Sequence, residues 1–492
     1  MKTDFGSGRP RLGRAMAVFV AVLALFAVGC TPTEDTANEG GAAVATTDPA
    51  PAPAPEPAPA PEPEPETDAE PETDAEPEEV ADPEPAEEPA AAPLTASWRG
   101  VTEDTITIGV SMLDFEALVS LGLSPSGWGD QQGVWEAYVA DLNARGGING
   151  RTVEAVYSFY SPLGTEAAET SCLELTKDVE TFAVLGGFLG PAQTVNNCVT
   201  TVNNTIMIGG TMTLERLAEA TAPWIQPGAL QERSLETMLS LLEQEGMLAD
   251  RKVAVVGSVE LGDVAELVPA ALEARGLTPV SVITNDVPQG EIQASNDAWQ
   301  VYAERIAADG ADTVFVVGSG QAAFRGIANA GLDVETWVLN VQDLSNLGLE
   351  TPKEFARDAI TVTGMTDQER WEHSVTQDCY AIVQEAFPDL DVVAPNDKAA
   401  DEEGWFNSVI NYCNWLRIFE LVATEAGPDL THESFQAAMD SLGEFEAAGV
   451  PFGSLGPGKV DVNDSARLGI FDPDASDEGE VVALTDILDT TP

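Results

Sequence analysis

The 492-residue chain carries 83 acidic and 22 basic side chains, for a formal net charge of -61. A surface this acidic repels phosphate, which excludes electrostatic binding of nucleic acid and adhesion to anionic lipid through a polybasic patch. Hydrophobic residues make up 44%, enough for a sizeable core, and the only two histidines, His373 and His432, leave no room for a multi-histidine metal site.

At the N-terminus Lys2, Arg9, Arg11 and Arg14 precede the apolar run Ala15 to Val28. A charged start followed by an apolar stretch too short to span a bilayer comfortably predicts a secretory signal. The run ends Ala27-Val28-Gly29-Cys30, which resembles the lipobox of bacterial lipoproteins, with alanine where that pattern usually has leucine. The resemblance implies that residues 1–30 are an export signal and that Cys30 receives lipid. Two or more acyl chains on one residue give a stable membrane anchor.

Residues 31–97 hold 16 of the 33 prolines and 19 acidic residues, with no Lys or Arg. The hexamer Glu-Pro-Glu-Thr-Asp-Ala occurs twice, at 64–69 and 70–75. Such a segment buries too little apolar surface to offset its ordering entropy, and it is predicted to be a disordered tether. At ~3.1 Å per residue it would reach on the order of 200 Å, a leash between a membrane and a folded body. An acidic tail that binds a protein is the alternative.

Residues 98–492 alternate strand and helix. Strands are predicted at 106–110, 153–159, 182–186 and 206–208, with helices over 131–144, 166–179 and 194–202. After Pro223 the cycle restarts. Helices at 232–245, 263–275, 295–308 and 321–330 alternate with strands at 252–256, 279–284, 313–317 and 335–339. A strand at 359–363 precedes long helices over 367–386 and 404–425 and a shorter one over 432–441. Short β segments run from Val460 to Leu484. Continuous apolar strands between helices predict parallel sheets covered on both faces, hence an α/β protein with two doubly wound, Rossmann-like lobes. In that class small molecules bind beyond the carboxyl ends of the strands.

Four cysteines remain beyond Cys30: Cys172, Cys198, Cys379 and Cys413. In an exported chain an even number suggests two disulfides. Of three possible pairings the local one, Cys172–Cys198 and Cys379–Cys413, is favoured because each pair lies on consecutive predicted helices. Buried free thiols are the alternative.

The stretches Thr105 to Val110, Asn143 with Gly146-Gly147-Ile148-Asn149-Gly150, Val184-Leu185-Gly186-Gly187 with Gly190-Pro191, and Arg325 to Gly331-Leu332 together carry a resemblance. Over about residues 100–470 the chain is similar to the type I solute-binding proteins of branched-chain amino acid and amide ABC importers. The resemblance implies two lobes joined by three crossovers, near Trp224–Gly228, Thr361–Met365 and Gly449–Gly453. The N-lobe would be 98–225 plus 366–449, and the C-lobe 226–365 plus 450–492. It further implies no enzymatic activity, no cofactor and a monomer outside the cell membrane. Hinge closure would trap a small ligand (amino acid, amide or small carboxylate), and an ABC permease would read the closed shape.

Loops after strand ends supply the candidate contacts: Asp114, Phe115, Trp128, Gln193, Thr211 and Thr213 from one lobe, and Glu260, Ser319, Gln321, Gln342 and Asp343 from the other. Trp128 reads equally as packing support. Gln342 falls where the amino-acid binders often place a carboxylate, so the class of function carries over better than the ligand.

The sequence allows three other readings. A ligand sensor of the same fold, signalling to a receptor, is the runner-up. Gly318-Ser319-Gly320-Gln321-Ala322-Ala323 has the Gly-x-Gly-x-x-Ala form of a dinucleotide fingerprint, with Asp343 as a loosely placed acidic partner, and so allows an NAD-dependent enzyme. The loop with Asp472, Asp474 and Asp477 has Asp477 and Ala483 where a calcium loop needs glycine and glutamate, and reads as a solvated turn. Both histidines read as ordinary residues of surface helices.

Overall fold

A computed structural model describes residues 94–492, except 121–123, 288–290, 345–346, 348–350 and 400. The signal segment, Cys30 and the tether as far as residue 93 lie outside the described residues.

The first lobe begins with β1 (Thr105–Leu113), the short α1 (Phe115–Ser120), α2 (Gln131–Ala144), β2 (Thr152–Tyr160) and α3 (Glu166–Leu173). It continues with β3 (Ala183–Gly186), β4 (Ile206–Gly209), α4 (Leu214–Glu219) and β5 (Trp224–Ile225). These strands form one parallel sheet in the order β2-β1-β3-β4-β5. Every residue of β3 and β4 is buried, as continuous apolar strands covered on both faces require. The Asn-x-x-Gly-Gly-Ile-Asn-Gly stretch has a mechanical reason. Asn143 at the end of α2 exchanges two hydrogen bonds with the backbone of Val153 on β2, at 2.7 and 2.9 Å. Gly147 adopts φ +66° so close to the Arg151 carbonyl that a β-carbon would collide with it.

The predicted helices at 166–179 and 194–202 are not regular. The first passes from α3 into a π-helical turn at Glu174–Asp178. The second is a 3-10 turn at Gly190–Val195, followed by a π-helical turn at Cys198–Val202. Cys172 and Cys198 are bonded to each other between these irregular segments.

The second lobe repeats the plan with α5 (Gln231–Gln244), β6 (Val253–Ser258), α6 (Gly262–Glu273), β7 (Ser281–Asn285), α7 (Ile292–Ala308), β8 (Thr313–Val317), α8 (Gly320–Ala330), β9 (Glu335–Val338) and β10 (Ile360–Thr363). The chain then returns to the first lobe as α9 (Asp367–Glu372), α10 (Ser374–Ala386), α11 (Trp405–Glu425) and α12 (His432–Ser441), followed by the hairpin β11 (Gly443–Ala447) and β12 (Val450–Leu455). The helix predicted over 367–386 is two helices, because His373 takes an extended conformation between them. Cys379 of α10 and Cys413 of α11 form the second disulfide. The chain ends in β13 (Ser465–Asp472), β14 (Glu480–Ala483) and β15 (Leu488–Asp489). The second sheet runs β14-β13-β10-β9-β8-β6-β7, with β13 antiparallel to both β10 and β14, and with β15 paired to β13.

Three passages join the lobes. The first leaves β5 at Gln226, which is paired with the third passage: Gln226 N–H donates to the Val460 carbonyl and Val462 N–H to the Gln226 carbonyl, both at 2.8 Å. The second runs from β10 through Gly364 into α9. The third lies later than the expected 449–453. Val450, Leu455 and Val462 belong to the first lobe's core, so the chain crosses only between Val462 and β13. Gly449, at φ +68°, marks a hairpin turn rather than a crossing.

Buried charge welds the first and third passages together. Arg233 of α5 pairs with Asp461 and Asp464, each at 2.7 Å. Lys459 joins Asp464 at 3.2 Å, and the Ser454 hydroxyl donates to the same carboxylate at 2.6 Å.

The folded body also starts earlier than residue 98. Arg151 donates to the Thr95 carbonyl at 2.9 Å, and the Ser97 hydroxyl to the Leu430 carbonyl at 2.7 Å. Trp98 packs against His432, with ring centroids 4.8 Å apart. His432, expected on the surface, is therefore buried, and burial together with the nearby Arg99 charge pushes its pKa down to about 4.

Candidate functional site

Between the lobes lies a cleft of about 450 Å³. Its floor is the carboxyl end of the first sheet, where β3 and β4 terminate at Gly186 and Gly209. These ends approach so closely that a β-carbon on Gly209 would sit 2.4 Å from the Gly186 carbonyl oxygen, so only glycine allows the approach. The facing wall is formed by Asn340 and Gln342 after β9 and by Thr363 at the end of β10, and the hinge side by Gln226, Gln231 and Arg233.

One helix of the first lobe contributes a face of its own. Asn407, Asn411, Asn414 and Trp415 of α11 all line the cleft, at helical spacing. Asn414 is 5% exposed, and its side-chain oxygen has no hydrogen-bond partner. Asn411 accepts from Arg370 at 3.0 Å. Trp415 stands 5.5 Å from Tyr412, whose hydroxyl donates to Gln131 and is held neutral because burial raises its pKa well above the usual tyrosine value.

The cations that line the cleft are already matched. Arg370 pairs with Asp367 at 3.2 Å, Lys398 with Glu478 at 3.1 Å, and Arg233 with Asp461 and Asp464. The Lys398–Glu478 pair links the two lobes, as does an ion pair between Arg467 of β13 and Glu369 of α9. Glu480, also in the lining, forms no ion pair among the described residues. Burial and the neighbouring Asp367 charge push its carboxyl up to about 6, partly offset by hydrogen bonds from the Gln368 backbone and the Asn396 side chain. No group of three or more His, Cys, Asp or Glu side chains is arranged to hold a metal ion among the described residues.

Of the residues singled out from the sequence, the structure brings Trp128 and Gln342 together in the cleft. Phe115 supports Trp128 from behind, with ring centroids 4.9 Å apart, and Asp114 caps α1 by accepting from Ala117 N–H at 3.1 Å. Gln193 and the Thr211 carbonyl accept from one guanidinium nitrogen of Arg216, at 3.0 and 3.1 Å. Thr213 is buried and caps α4. Ser319 sits before α8 at φ +55° with a buried, unpartnered hydroxyl, and Gln321 follows it on that helix. None of these lines the cleft, and Glu260 falls in the 3-10 turn Val259–Leu261, with its side chain outside what is described. Asp343 packs against the start of α8, where a β-carbon on Gly320 would lie 3.1 Å from its carboxylate oxygen. A carboxylate already stands where a dinucleotide fingerprint would seat a pyrophosphate, which argues against that reading. The aspartate loop is a pinned turn: Arg357 pairs with Asp474 at 3.0 Å, and Lys353 donates to the Ser476 and Asp477 carbonyls.

The α11 stripe, Arg370, Lys398 and Glu480 were missed by the sequence reading. The signal in the sequence was the repeat of asparagine at i, i+4 and i+7 in the largely apolar first half of that helix.

A family model described as periplasmic binding protein matches residues 124–466. Among solved structures, a solute-binding protein of an ABC transporter from R. palustris, in complex with 4-hydroxybenzoate, aligns with a TM-score of 0.58 at 14% identity, covering 79% of this chain and 98% of that one. A leucine-, isoleucine-, valine-, threonine- and alanine-binding protein from Brucella ovis, in a closed conformation, aligns with a TM-score of 0.53 at 13% identity, covering 79% and 96%. A fatty acid ABC transporter substrate-binding protein from Thermomonospora curvata gives 0.51 at 15% identity, covering 78% and 93%. No curated protein matches the sequence. At these identities the structural likeness speaks for the fold alone.

Proposed function

The chain belongs to the periplasmic binding protein family, and from that premise we propose that it is a solute-binding lipoprotein, anchored through Cys30 on the outer face of the cell membrane. It captures a small polar ligand between its lobes and hands it to an ABC permease. Amino acids, amides and small carboxylates are the first classes to test, in keeping with one structural relative in complex with 4-hydroxybenzoate and another named as a leucine-, isoleucine-, valine-, threonine- and alanine-binding protein. The observation that carries the reading is the cleft itself. It lies at the carboxyl ends of the parallel strands of both sheets, and among the described residues three passages connect the lobes. A ligand touching both walls shifts the population toward closure, and that requires no covalent step.

Thermal-shift titration of the purified chain tests it. A true ligand raises the melting temperature with concentration, by about 2.7 kcal/mol of apparent stability at a hundredfold excess over Kd. Trp128→Ala and Gln342→Ala, on opposite walls, should each weaken the shift. If both respond as the unmodified chain does, the ligand is not held in this cleft.

A further inference from the structure

Three carboxamides set the chemistry of the cleft. Gln226, Gln231 and Asn414 all line it, and each has a side-chain oxygen that is buried and has no hydrogen-bond partner. A buried polar group left unmade costs on the order of 1–3 kcal/mol, so each of these amides gains if it turns to meet a polar occupant of the cavity it borders. Whichever way round each amide is turned, it offers an uncharged donor or acceptor.

The charged groups point the same way. Each lining cation is engaged by a carboxylate, so a ligand carboxylate would meet no spare guanidinium or ammonium. Glu480, which forms no ion pair among the described residues, is pushed toward its neutral form by burial and by the Asp367 charge. Trp128 and Trp415 add flat apolar faces to the same lining.

We propose that the cleft takes an uncharged, polyhydroxylated ring compound, a sugar or cyclitol, with hydroxyls on the Gln226, Gln231 and Asn414 carboxamides and a ring face on tryptophan. This rests on the solute-binding reading and departs from it in the charge of the ligand. A hydroxyl both donates and accepts, so it fits a carboxamide in either orientation. A site built to bond hydroxyls rejects analogues lacking them far more strongly than a purely apolar pocket could.

The test is calorimetric and thermal-shift titration of the full chain with D-glucose, D-ribose and myo-inositol, alongside L-leucine, 4-hydroxybenzoate and spermidine, each to about 10 mM. The expected result is binding of at least one neutral compound, with an affinity unchanged by added salt because no ion pair forms. Asn414→Leu should weaken that binding roughly ten- to a hundredfold. Gln231→Met, at a half-exposed position, gives the same readout should the Asn414 variant fold poorly. If an ionic probe binds, the zwitterion L-leucine included, and no sugar or cyclitol does, the inference falls while the solute-binding reading stands. If no probe binds, both fall.

Discussion

The first lobe holds both disulfides and nearly all the close ring pairs among the described residues, from Trp135 against Tyr412 to Phe419 against Phe435. The second lobe has neither disulfide, and its close ring pairs are Trp299 with Tyr302 and Phe315 with Trp337. Its apolar strands are flanked instead by the antiparallel β13 and β14, which reach back to the first lobe through Arg467–Glu369 and, from the turn between them, through Lys398–Glu478. Two lobes built on one plan are thus stiffened by different means. Covalent links and packed rings fix one wall of the cleft, whereas reversible ion pairs connect the other wall to it. The helix that presents asparagines to the cleft, α11, is itself held by Cys413. A rigid wall that carries the α11 asparagines lets the other move without disturbing that part of the lining.

The sharpest way to break this arrangement is to cut the joint between the lobes. Asp464 has a fully buried carboxylate shared by Arg233, Lys459 and Ser454. Asp464→Ala removes one of the two carboxylates that face Arg233 and Lys459 and leaves Ser454 without its acceptor, and should cost about 3–5 kcal/mol, read by urea denaturation. Next comes the covalent stiffening. Cys379→Ser with Cys413→Ser should lose about 2–4 kcal/mol, since the bond closes a loop with a sequence separation of 34. Hydrogen exchange should localise the loss: amides of α10 and α11 lose protection, while those of β6 and β8 keep it.

The smallest effect expected is a pH response of opposite sign in the two regions. His432 is neutral in the folded first lobe down to about 4. The unfolded chain binds a proton near 6.5, so the stability contributed by burying neutral His432 is complete above 6.5 and is lost as the pH falls toward 4. Glu480 behaves the other way. Its carboxyl is raised to about 6, so the fold gains as the pH drops through 6 and that gain fades as the pH rises. Melting curves from pH 7 to 4.5 should therefore lose their acid slope in His432→Phe and steepen in Glu480→Gln. Equal slopes in both variants would remove the distinction between the regions.

Much of this architecture is legible in the sequence because its strands are uninterrupted apolar runs: Val253–Ser258 and Thr313–Val317 can only be buried on both faces. Glycine signals were less dependable. Gly449 reads as the boundary of a crossing, yet it turns a hairpin whose Val450 and Leu455 pack in the first core. The cleft was legible in part. Trp128 and Gln342 lie in loops after strands or beside them, where ligand contacts are expected, whereas Gln193 and Thr213 read equally well but are taken up by Arg216 and a helix cap. Asn414 could not be found in that way. Periodicity separates the apolar face of α11 from its polar face, but whether the polar face meets solvent or a cleft is decided by segments far away in the chain.

The charged knot formed by Arg233, Lys459, Asp461 and Asp464 has a consequence for how the body moves. Two of the three connections share it, and they are also stitched by the backbone hydrogen bonds of Gln226. They must travel together, as one axle rather than two independent straps. Torsion during opening is then left to the stretch around Gly364, which has no side chain of its own to jam the swivel.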